Sequence, residues 1–351
     1  MTILYFIILL SVIICLHEAG HLIAAKIFGV YCYEYSFGMG PLLFKKQTAE
    51  TQYSIRAIPI GGYVAMAGES SDEVYQDIPI PEGRKLTDKP IWQRLIILLA
   101  GVTMNFLLCY LILTMLVLRA GGFVESPRAY INEVVEDSPA ERAGLQAGDV
   151  IVSIYADGSL TKPKTFQDMQ TVFLLLEEER VDITVSRDGE EVTLEVFPEY
   201  DEEMQSYRIG IVGPSAEVVP VNLLNCWKYG AKEMKYFSTL LVAGIRSILS
   251  GRNLDQVSGP VGIYTATEQS VSYGLVGYLV LMAEISLNVG LMNLLPLPVL
   301  DGGQVVITIG EGILHKPLNE KVRVGLMAAC WVLLIGLMVF VTWNDISRLI
   351  G

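Results

Sequence analysis

Histidine and closely paired cysteines are scarce in this sequence, and positive charge is outnumbered by negative charge. Among 351 residues there are three histidines and five cysteines, and no two cysteines form a close C-x-x-C pair. Cys15, Cys109 and Cys330 lie in apolar runs, which argues against a disulfide framework and against a zinc cluster built from cysteine. Because a net charge of −13 repels phosphate backbones, we expect no nucleic-acid partner.

Hydrophobic residues are abundant, and the acidic excess is confined to one stretch. The chain is 52% hydrophobic with a mean hydropathy of +0.45, which is too apolar for an ordinary soluble protein. Residues 122–215 hold 20 of the 38 Asp and Glu but 7 of the 25 Lys and Arg, so the remainder is balanced at 18 of each. This distribution predicts one acidic, soluble domain inserted in an otherwise apolar membrane chain.

Four apolar segments are long enough to cross a bilayer, which takes about 20 residues. They are residues 1–30, 91–119, 275–310 and 322–344. The first lacks the basic region and the small-residue cleavage site of a signal peptide, so we predict a retained membrane helix. Basic residues cluster between the first two segments, in a region that includes a polar linker at 70–90. The positive-inside rule then predicts that this region is cytoplasmic and that both termini and the acidic domain lie outside.

The first membrane segment contains the sequence His17-Glu18-Ala-Gly-His21. Histidines four positions apart share one helix face and can bind one metal ion. Glu18 is then placed to take a proton from a water molecule in the open metal position. The alternative is a membrane helix that carries two histidines without a metal, which the cost of ionisable groups at membrane depth disfavours.

The third segment contains a second motif, Asn293-Leu-Leu-Pro-Leu-Pro-Val-Leu-Asp301-Gly-Gly. Its two prolines break the helix, which at membrane depth requires a cavity or protein partners. Asp301 follows on irregular backbone, as a third metal ligand requires; the alternative is a helix end capped by Asp-Gly at the interface. At about 1.5 Å per residue, both motifs reach the cytoplasmic half of a ~30 Å hydrocarbon core, so they can meet.

Short β-prone runs separated by glycine, proline and polar residues fill positions 31–69 and predict hairpins. Their apolar content and their position beside the histidine motif predict a sheet that dips into the membrane. Exposed strand edges are tolerated at that depth only along a cavity or beside an incoming strand. The alternative is a small cytoplasmic β-subdomain.

The acidic stretch at 122–215 alternates apolar and polar residues in strand-like runs, with a hairpin turn at Asp188-Gly189. Its run Ser138-Pro-Ala-Glu-Arg-Ala-Gly-Leu-Gln-Ala-Gly-Asp149 resembles the PDZ domains attached to bacterial proteases. Such domains bind an extended peptide, for example a peptide C-terminus, as an added strand; the alternative is a spacer that only limits access. Residues 221–250 mix aromatic, lysine and apolar positions and predict an amphipathic helix at the outer membrane–water interface.

In combination, these motifs and the run Ser258-Gly-Pro-Val-Gly resemble the bacterial site-2 proteases of the RseP type over nearly the whole chain. The resemblance implies that His17, His21 and Asp301 bind zinc (Zn2+) and that Glu18 is the catalytic base. It also implies a bacterial inner-membrane location and a membrane-re-entrant β element, within 31–69, that pairs with unwound substrate. The substrate-binding residues that it implies are Asn293, Gly38, Gly40, Tyr53 and Ile55.

The sequence departs from this family pattern at two places. The second segment reads Gly101-Val102-Thr-Met-Asn105-Phe106, where the family often has Gly-Pro, so the local helix shape is open. Only one PDZ-like domain fits between residues 120 and 220, whereas some relatives carry two.

We therefore predict a polytopic α-helical membrane protein with four transmembrane helices, a membrane-associated β-hairpin region and an inserted α+β PDZ domain. The predicted reaction is hydrolysis of a peptide bond within the transmembrane segment of single-pass membrane proteins in the lipid bilayer, such as anti-sigma factors or remnant signal peptides. Two other classes are a catalytically idle PDZ receptor and a metal transporter. An intact Glu18 argues against the receptor, and the absence of repeated segments with ionisable residues in both halves argues against the transporter.

Overall fold

The computed structural model describes residues 1–69, 74–75, 78–156, 158–174, 180–201, 206–250, 257–316 and 318–350. The chain forms two compact units, one of Met1–Leu116 with Asn253–Gly351 and one of Val117–Arg252. The helices are α1 (Thr2–Ile27), α2 (Ile91–Ala120), α3 (Pro139–Arg142), α4 (Phe166–Leu174), α5 (Cys226–Leu249), α6 (Pro260–Ser272), α7 (Gly274–Asn293), α8 (Asp301–Leu314) and α9 (Glu320–Ile350). The strands are β1 (Cys32–Gln47), β2 (Gln52–Met66), β3 (Gly122–Glu125), β4 (Glu133–Val134), β5 (Val150–Ala156), β6 (Ser159–Thr161), β7 (Val181–Arg187), β8 (Glu190–Val196), β9 (Glu199–Asp201), β10 (Ser206–Arg208), β11 (Ile211–Val212) and β12 (Glu217–Pro220).

Among the described residues, four helices are long and apolar enough to cross a membrane, which confirms the predicted number. They are α1, α2, α7 and the Glu320–Ser347 part of α9. Helix α9 extends beyond both ends of the apolar run predicted at 322–344, because charged residues that flank an apolar run continue a helix readily.

The segment predicted as one interrupted span at 275–310 consists of two separate helices. Helix α7 ends at Asn293 and α8 begins at Asp301, with turns between them. Pro296 and Pro298 lack a backbone N–H and would clash with the preceding helical turn, so the helix stops before them. The apolar run therefore does not continue as a helix to Leu300.

Two glycines at the start of α8 let the connecting segment fold tightly against the helix end. A Cβ atom added to Gly302 would overlap the carbonyl oxygen of Leu294, and one added to Gly303 would overlap that of Leu297. Because Gly302 and Gly303 have no side chains, the segment that follows α7 packs directly against the first turn of α8. This close packing fixes where Asp301 lies.

The strands β1 and β2 form one long hairpin that bends back on itself. Residues 42–47 pair with 52–56, while residues 34–37 lie between 52–55 on one side and 62–65 on the other. Gly38 and Gly40 lie at the bend of β1 with φ of 82° and 84°, a region that glycine enters without steric cost. Among the described residues, the sheet therefore ends at 42–47 on one side and at 62–66 on the other.

The polar linker predicted at 70–90 is described in part, and residues 70–73 and 76–77 lie outside the described residues. The hydroxyl of Tyr75 donates a hydrogen bond to Glu34 of β1 at 2.6 Å, and its ring stacks on Tyr33 with centroids 4.6 Å apart. Leu86 is buried in the cluster that contains Val30 and Met66. The described part of the linker therefore packs on the hairpin.

The second unit is rich in strands and contains a four-stranded sheet of order β6-β5-β7-β8. Its core includes Ile131, Ile154 and Ile183, which are fully buried. The predicted turn at Asp188-Gly189 is confirmed, since φ is 53° and 90° at these residues and β7 pairs with β8. The helix predicted at 221–250 begins only at Cys226, because residues 217–220 form β12 and pair with β3.

Candidate metal centre and active site

Helix α1 places the two histidines of the HExxH motif side by side, as their spacing predicts. His17 and His21 are 7% and 6% exposed, and their Nε2 atoms are 3.3 Å apart. Glu18 is half-buried on the same helix, next to His17. Two imidazoles directed at one point and a neighbouring carboxylate form the expected half of a metal centre.

Asp301, the first residue of α8, completes the cluster. Its Oδ2 lies 3.2 Å from Nε2 of His17 and 3.4 Å from Nε2 of His21. Ligand atoms placed 2.0–2.2 Å from a tetrahedral ion lie about 3.3–3.6 Å from one another. The three observed separations are close to this spacing, so one ion fits between the three atoms.

The hydrogen-bonding state of Asp301 also fits a metal. Within the described part of the chain, its buried Oδ2 accepts no hydrogen bond despite the two imidazoles beside it. A buried carboxylate oxygen without a partner is costly unless another group compensates it. A divalent cation held by two imidazoles and one carboxylate supplies that compensation, so the residues present fit a metal site.

Helix α2 contacts both histidines through their other ring nitrogens. Nδ1 of His21 lies 2.8 Å from the carbonyl oxygen of Ile97, and Nδ1 of His17 lies 3.2 Å from the side-chain amide of Asn105. Metal-binding histidines usually have a hydrogen-bond partner on the ring nitrogen that faces away from the metal. Both histidines have one here, and both partners belong to α2.

Glycines allow α1 and α2 to approach closely at this site. A Cβ atom added to Gly101 of α2 would overlap Nε2 of His21 and lie 2.8 Å from Cε1 of His17. One added to Gly20 of α1 would overlap the carbonyl oxygen of Ala100. The backbone of α2 therefore lies directly against the two histidine side chains of α1. Small residues permit such close approach of helices in membrane proteins.

The hairpin reaches Glu18 from the other side. The backbone N–H of Val64 donates a hydrogen bond to Oε2 of Glu18 at 3.1 Å, so this N–H is directed at α1. A Cβ added to the nearby Gly62 would lie 3.9 Å from Cγ of Glu18. The sheet edge at 62–66 thus runs beside the carboxylate.

Side-chain hydrogen bonds fasten the hairpin to α1. The hydroxyl of Tyr35 donates a hydrogen bond to the carbonyl oxygen of Cys15 at 2.8 Å. The hydroxyl of Ser11 donates one to the carbonyl oxygen of Pro59 at 2.6 Å. These contacts lie on the helical turns that precede the HExxH motif. They hold the edge of the sheet at a fixed distance from Glu18.

Glu34 of β1 is a buried carboxylate that is hydrogen-bonded to residues of β2. Burial would raise the pKa of Glu34, but hydrogen bonds from Ser54, Tyr75 and Arg56 lower it to about 2. Nη2 of Arg56 lies 2.8 Å from Glu34, so the buried negative charge is paired. A charged and fully bonded Glu34 fixes the strands with respect to one another.

The other predicted substrate-binding residues lie outside the metal cluster. Tyr53 and Ile55 belong to the inner stretch of β2, whose backbone pairs with β1 on both sides, so they do not form a free strand edge. Their side chains are partly exposed, at 39% and 46%. Asn293 is the half-buried last residue of α7, and among the described residues its side chain makes no hydrogen bond to the cluster.

Sequence reasoning did not assign roles to Asn105, Gly101 or the backbone of Val64. A signal for the first two was present, since Asn105 is a polar residue in an apolar run and Gly101 precedes it by one helical turn. No side-chain pattern reveals which backbone N–H of a strand faces a helix. That contact depends on the fold alone.

Comparisons with known proteins agree with this geometry. The model of the family described as Peptidase family M50 matches residues 5–337. The Regulator of sigma-W protease RasP of Bacillus subtilis is 30% identical over 99% of both chains. The Zinc metalloprotease RasP of Shouchella clausii is 32% identical, again over 99% of both chains. Since the match covers nearly its full length, this chain belongs to peptidase family M50.

Proposed function

We propose that this member of peptidase family M50 is an intramembrane zinc metalloendopeptidase, which hydrolyses a peptide bond within the transmembrane segment of single-pass membrane proteins. The observation that carries the proposal is the convergence of His17, His21 and Asp301 beside Glu18. The two histidines and Glu18 lie on α1, a helix long and apolar enough to cross a membrane. The relatives named zinc metalloprotease and sigma-W protease support the same reaction class.

His17, His21 and Asp301 are the residues that would hold the zinc ion. Two imidazoles and one carboxylate form a ligand set with an open fourth position, which is the arrangement of catalytic rather than structural zinc sites. When bound, zinc supplies a Lewis acid that polarises a carbonyl and lowers the pKa of a water molecule toward ~7. The neighbouring glycines let α2 approach closely, and its contacts to both histidines keep these ligands in place.

Glu18 acts as the general base and then as the general acid. It takes a proton from the attacking water and passes it to the leaving amine. The hydrogen bond from the N–H of Val64 orients the carboxylate without adding a charge to the site. A base held by backbone on one side and adjacent to His17 on the other is positioned before the substrate arrives.

The hairpin would hold the substrate in an extended form. A helical substrate hides its carbonyl groups in backbone hydrogen bonds and must unwind before attack. The edge at 62–66 lies beside Glu18, so an unwound segment added there as a strand would bring its backbone to the site. Gly38 and Gly40 shape this sheet, the exposed side chains of Tyr53 and Ile55 offer apolar contacts, and Asn293 contacts the substrate backbone in our proposal.

The membrane arrangement is part of the proposal. We place the protein in the bacterial cell membrane with both termini and the second unit outside the cytoplasm, on the distribution of basic residues. The second unit is proposed to be a PDZ domain that binds a peptide or restricts access, and α5 to lie at the membrane surface. Substrates would be single-pass proteins already shortened on the outer side, or remnant signal peptides.

The decisive experiment compares wild type with Glu18→Gln for zinc content and for cleavage of a panel of truncated single-pass substrates in detergent or nanodiscs. Glu284→Gln is the matched control, because it makes the same chemical change on the membrane helix α7, away from the cluster. We expect about one zinc per chain in all three proteins and cleavage in wild type and the control only. Folded wild type without zinc would overturn the proposal.

The two other functional classes give different results in the same experiment. A catalytically idle receptor would bind zinc and substrate in every variant but cleave none of the panel. A metal transporter would move zinc across vesicle membranes and would cleave no substrate in any variant. Loss of cleavage with retained zinc in Glu18→Gln therefore separates a protease from a transporter.

A further inference from the structure

The hydrogen bonds on the far side of the two histidines define which ring nitrogen carries a proton. For His21 the answer follows from chemistry alone. The carbonyl oxygen of Ile97 can only accept, and it lies 2.8 Å from Nδ1, so Nδ1 carries the proton. Nε2 of His21 therefore keeps a free electron pair directed at Asp301 and at the metal position.

His17 needs the same tautomer, but its partner is a side-chain amide with two different ends. Nδ1 of His17 lies 3.2 Å from the amide of Asn105, which is fully buried. If the amide N–H₂ faced this nitrogen, the ring proton would sit on Nε2 and block metal binding. If the amide oxygen faced it, Nδ1–H would donate, and Nε2 would be free.

The need for a free Nε2 on His17 selects the end of Asn105 that meets the ring, and the present hydrogen bonding of the amide does not oppose that choice. With the amide nitrogen facing His17, the buried Oδ1 of Asn105 has no hydrogen-bond partner in the described structure. The two ends of an amide have nearly the same shape, so a half-turn about the last side-chain bond exchanges them without disturbing the packing. That half-turn gives Oδ1 the N–H of His17 as its donor and moves the N–H₂ group to the position that Oδ1 now occupies.

We propose that Asn105 is a positioning residue that accepts the Nδ1–H of His17 at its amide oxygen and thereby holds His17 in the tautomer that binds metal. The inference rests on the proposed function, since it assumes that His17 and His21 are metal ligands. It assigns α2 the task of fixing both histidines, one through a backbone carbonyl and one through a side chain.

The position of Asn105 is itself fixed by the surrounding helices. Ile97, Gly101 and Asn105 recur every four residues, so they lie on one face of α2 and meet α1 together. The hydroxyl of Ser286 on α7 donates to the backbone carbonyl of Asn105 at 2.9 Å. A Cβ added to Gly290 would lie 3.4 Å from the Cβ of Asn105, so α7 packs directly behind it. These contacts fix the backbone and the Cβ of Asn105, from which the amide extends toward His17.

A simpler role would be a hydrogen bond that only holds α1 and α2 together. The two roles make different demands on the side chain at position 105. Helix association tolerates either a donor or an acceptor, whereas the tautomer role requires an acceptor. Asn105→Asp keeps the acceptor and removes the donor, and Asn105→Leu removes both with little change in size.

The test measures the zinc affinity of the full-length protein in nanodiscs, by competition with a chelator of known affinity. Partners of this kind typically contribute about 10- to 100-fold in metal affinity, so we expect Asn105→Leu to bind zinc that much more weakly. Asn105→Asp should restore binding to within a few-fold of wild type. Thr114→Val is the matched control, because Thr114 is another buried polar residue of α2 whose hydroxyl has no partner in the described structure.

A spectroscopic measurement on wild type and Asn105→Leu reports the tautomer directly. The chain has only three histidines, and His315 is exposed and distant in sequence, so nitrogen-15 labelling of histidine gives few and assignable signals. In zinc-free wild type we expect protonated Nδ1 at both His17 and His21, since zinc bound at Nε2 would by itself leave the proton on Nδ1. Loss of that signature from His17 alone in a folded Asn105→Leu protein would support the proposal.

The outcomes separate this inference from the proposed function. Equal zinc affinity in wild type and Asn105→Leu, or an Asn105→Asp protein as weak as Asn105→Leu, would overturn the role of Asn105 and leave the protease proposal intact. A folded wild type that binds no zinc would overturn the proposed function, and the inference with it.

Discussion

Gly101 of α2 and His21 of α1 lie so close that a single added carbon at position 101 would overlap the Nε2 atom of the histidine. The same carbon would lie 2.8 Å from Cε1 of His17. The metal position is thus bounded on one side by the backbone of a neighbouring helix. Space at this site is limited by a residue that has no side chain.

Gly101→Ala should weaken zinc binding without removing any ligand. Overpacking of this kind costs about 1–3 kcal/mol, which corresponds to roughly a 5- to 150-fold loss of affinity if the histidines absorb the strain. Equilibrium zinc titration measures the change. Gly336→Ala on α9 is the control, because an added Cβ there meets no atom within 4 Å. Wild-type affinity in a folded Gly101→Ala protein would show that the helices separate easily at this crossing.

Val64→Pro should reduce turnover while zinc stays bound. Proline removes the N–H that holds Glu18, and a misplaced catalytic group of this kind can cost about 100-fold in rate. Val64→Ala keeps the N–H and should retain most of the activity. The measurement is kcat on a truncated single-pass substrate, together with zinc content. If Val64→Pro cleaves as fast as Val64→Ala, the backbone contact does not position the base.

Asp345→Leu should destabilise the start of α6. The buried carboxylate of Asp345 accepts hydrogen bonds from the backbone N–H groups of Gly259 and Gly262 at 2.9 and 2.8 Å. Leaving a buried N–H unpaired costs about 1–3 kcal/mol. Thermal unfolding and hydrogen exchange of residues 257–265 report the effect.

Two further variants test whether the loss of stability comes from the carboxylate of Asp345. Asp345→Asn retains one acceptor oxygen and should lose less stability. Ile346→Ala changes the next residue, which is 40% exposed, and should leave exchange at the start of α6 unchanged. Equal exchange in Asp345→Leu and wild type would mean that water replaces the carboxylate.

The second unit should lose stability in acid through Asp149. Burial raises the pKa of this carboxyl, but Arg187 at 2.7 Å and the N–H of Gln146 lower it overall below its usual value. A carboxyl whose pKa is lower in the folded state stabilises that state fully above the usual aspartate pKa of about 3.9. The contribution is lost as the pH falls through the folded pKa.

Hydrogen exchange of residues 150–156 and 181–187, corrected for intrinsic rates at each pH, measures this dependence. Asp149→Asn should be less stable than wild type at neutral pH, and the difference should shrink toward pH 2 as the aspartate is protonated. A difference between the two proteins that does not change with pH would mean that Asp149 does not titrate with folding.

Several features could be predicted because they depend on neighbouring residues along the chain. The histidine spacing fixed the common face of α1, and the two prolines predicted the break before Asp301. The apolar run lengths predicted four membrane helices, although the bounds of α9 differed. The turn at Asp188-Gly189 followed from the backbone conformations that these two residues accept.

Other features depend on contacts between distant segments, which no local pattern contains. The hairpin region was expected from its β-prone runs, but the pairing that places Tyr53 and Ile55 inside the sheet and 62–66 at its edge comes from the bends at Gly38 and Gly40. The Ser-Gly-Pro-Val-Gly run was recognised as a motif. Its physical role, two amides bound by a carboxylate 83 and 86 residues later, required the fold.

The sequence by itself determined the chemistry available to this protein: two imidazoles at ligand spacing with a carboxylate beside them on one helix, a second carboxylate after a broken helix, and apolar runs long enough to cross a membrane. These follow from helical periodicity and from side-chain polarity, which act over a few residues. The tertiary structure decided that Gly101 bounds the metal position, that Asn105 and Ile97 face the histidines, and that Val64 holds Glu18. Those relationships arise where separate helices and strands pack together, and packing is decided by the shape of the whole unit.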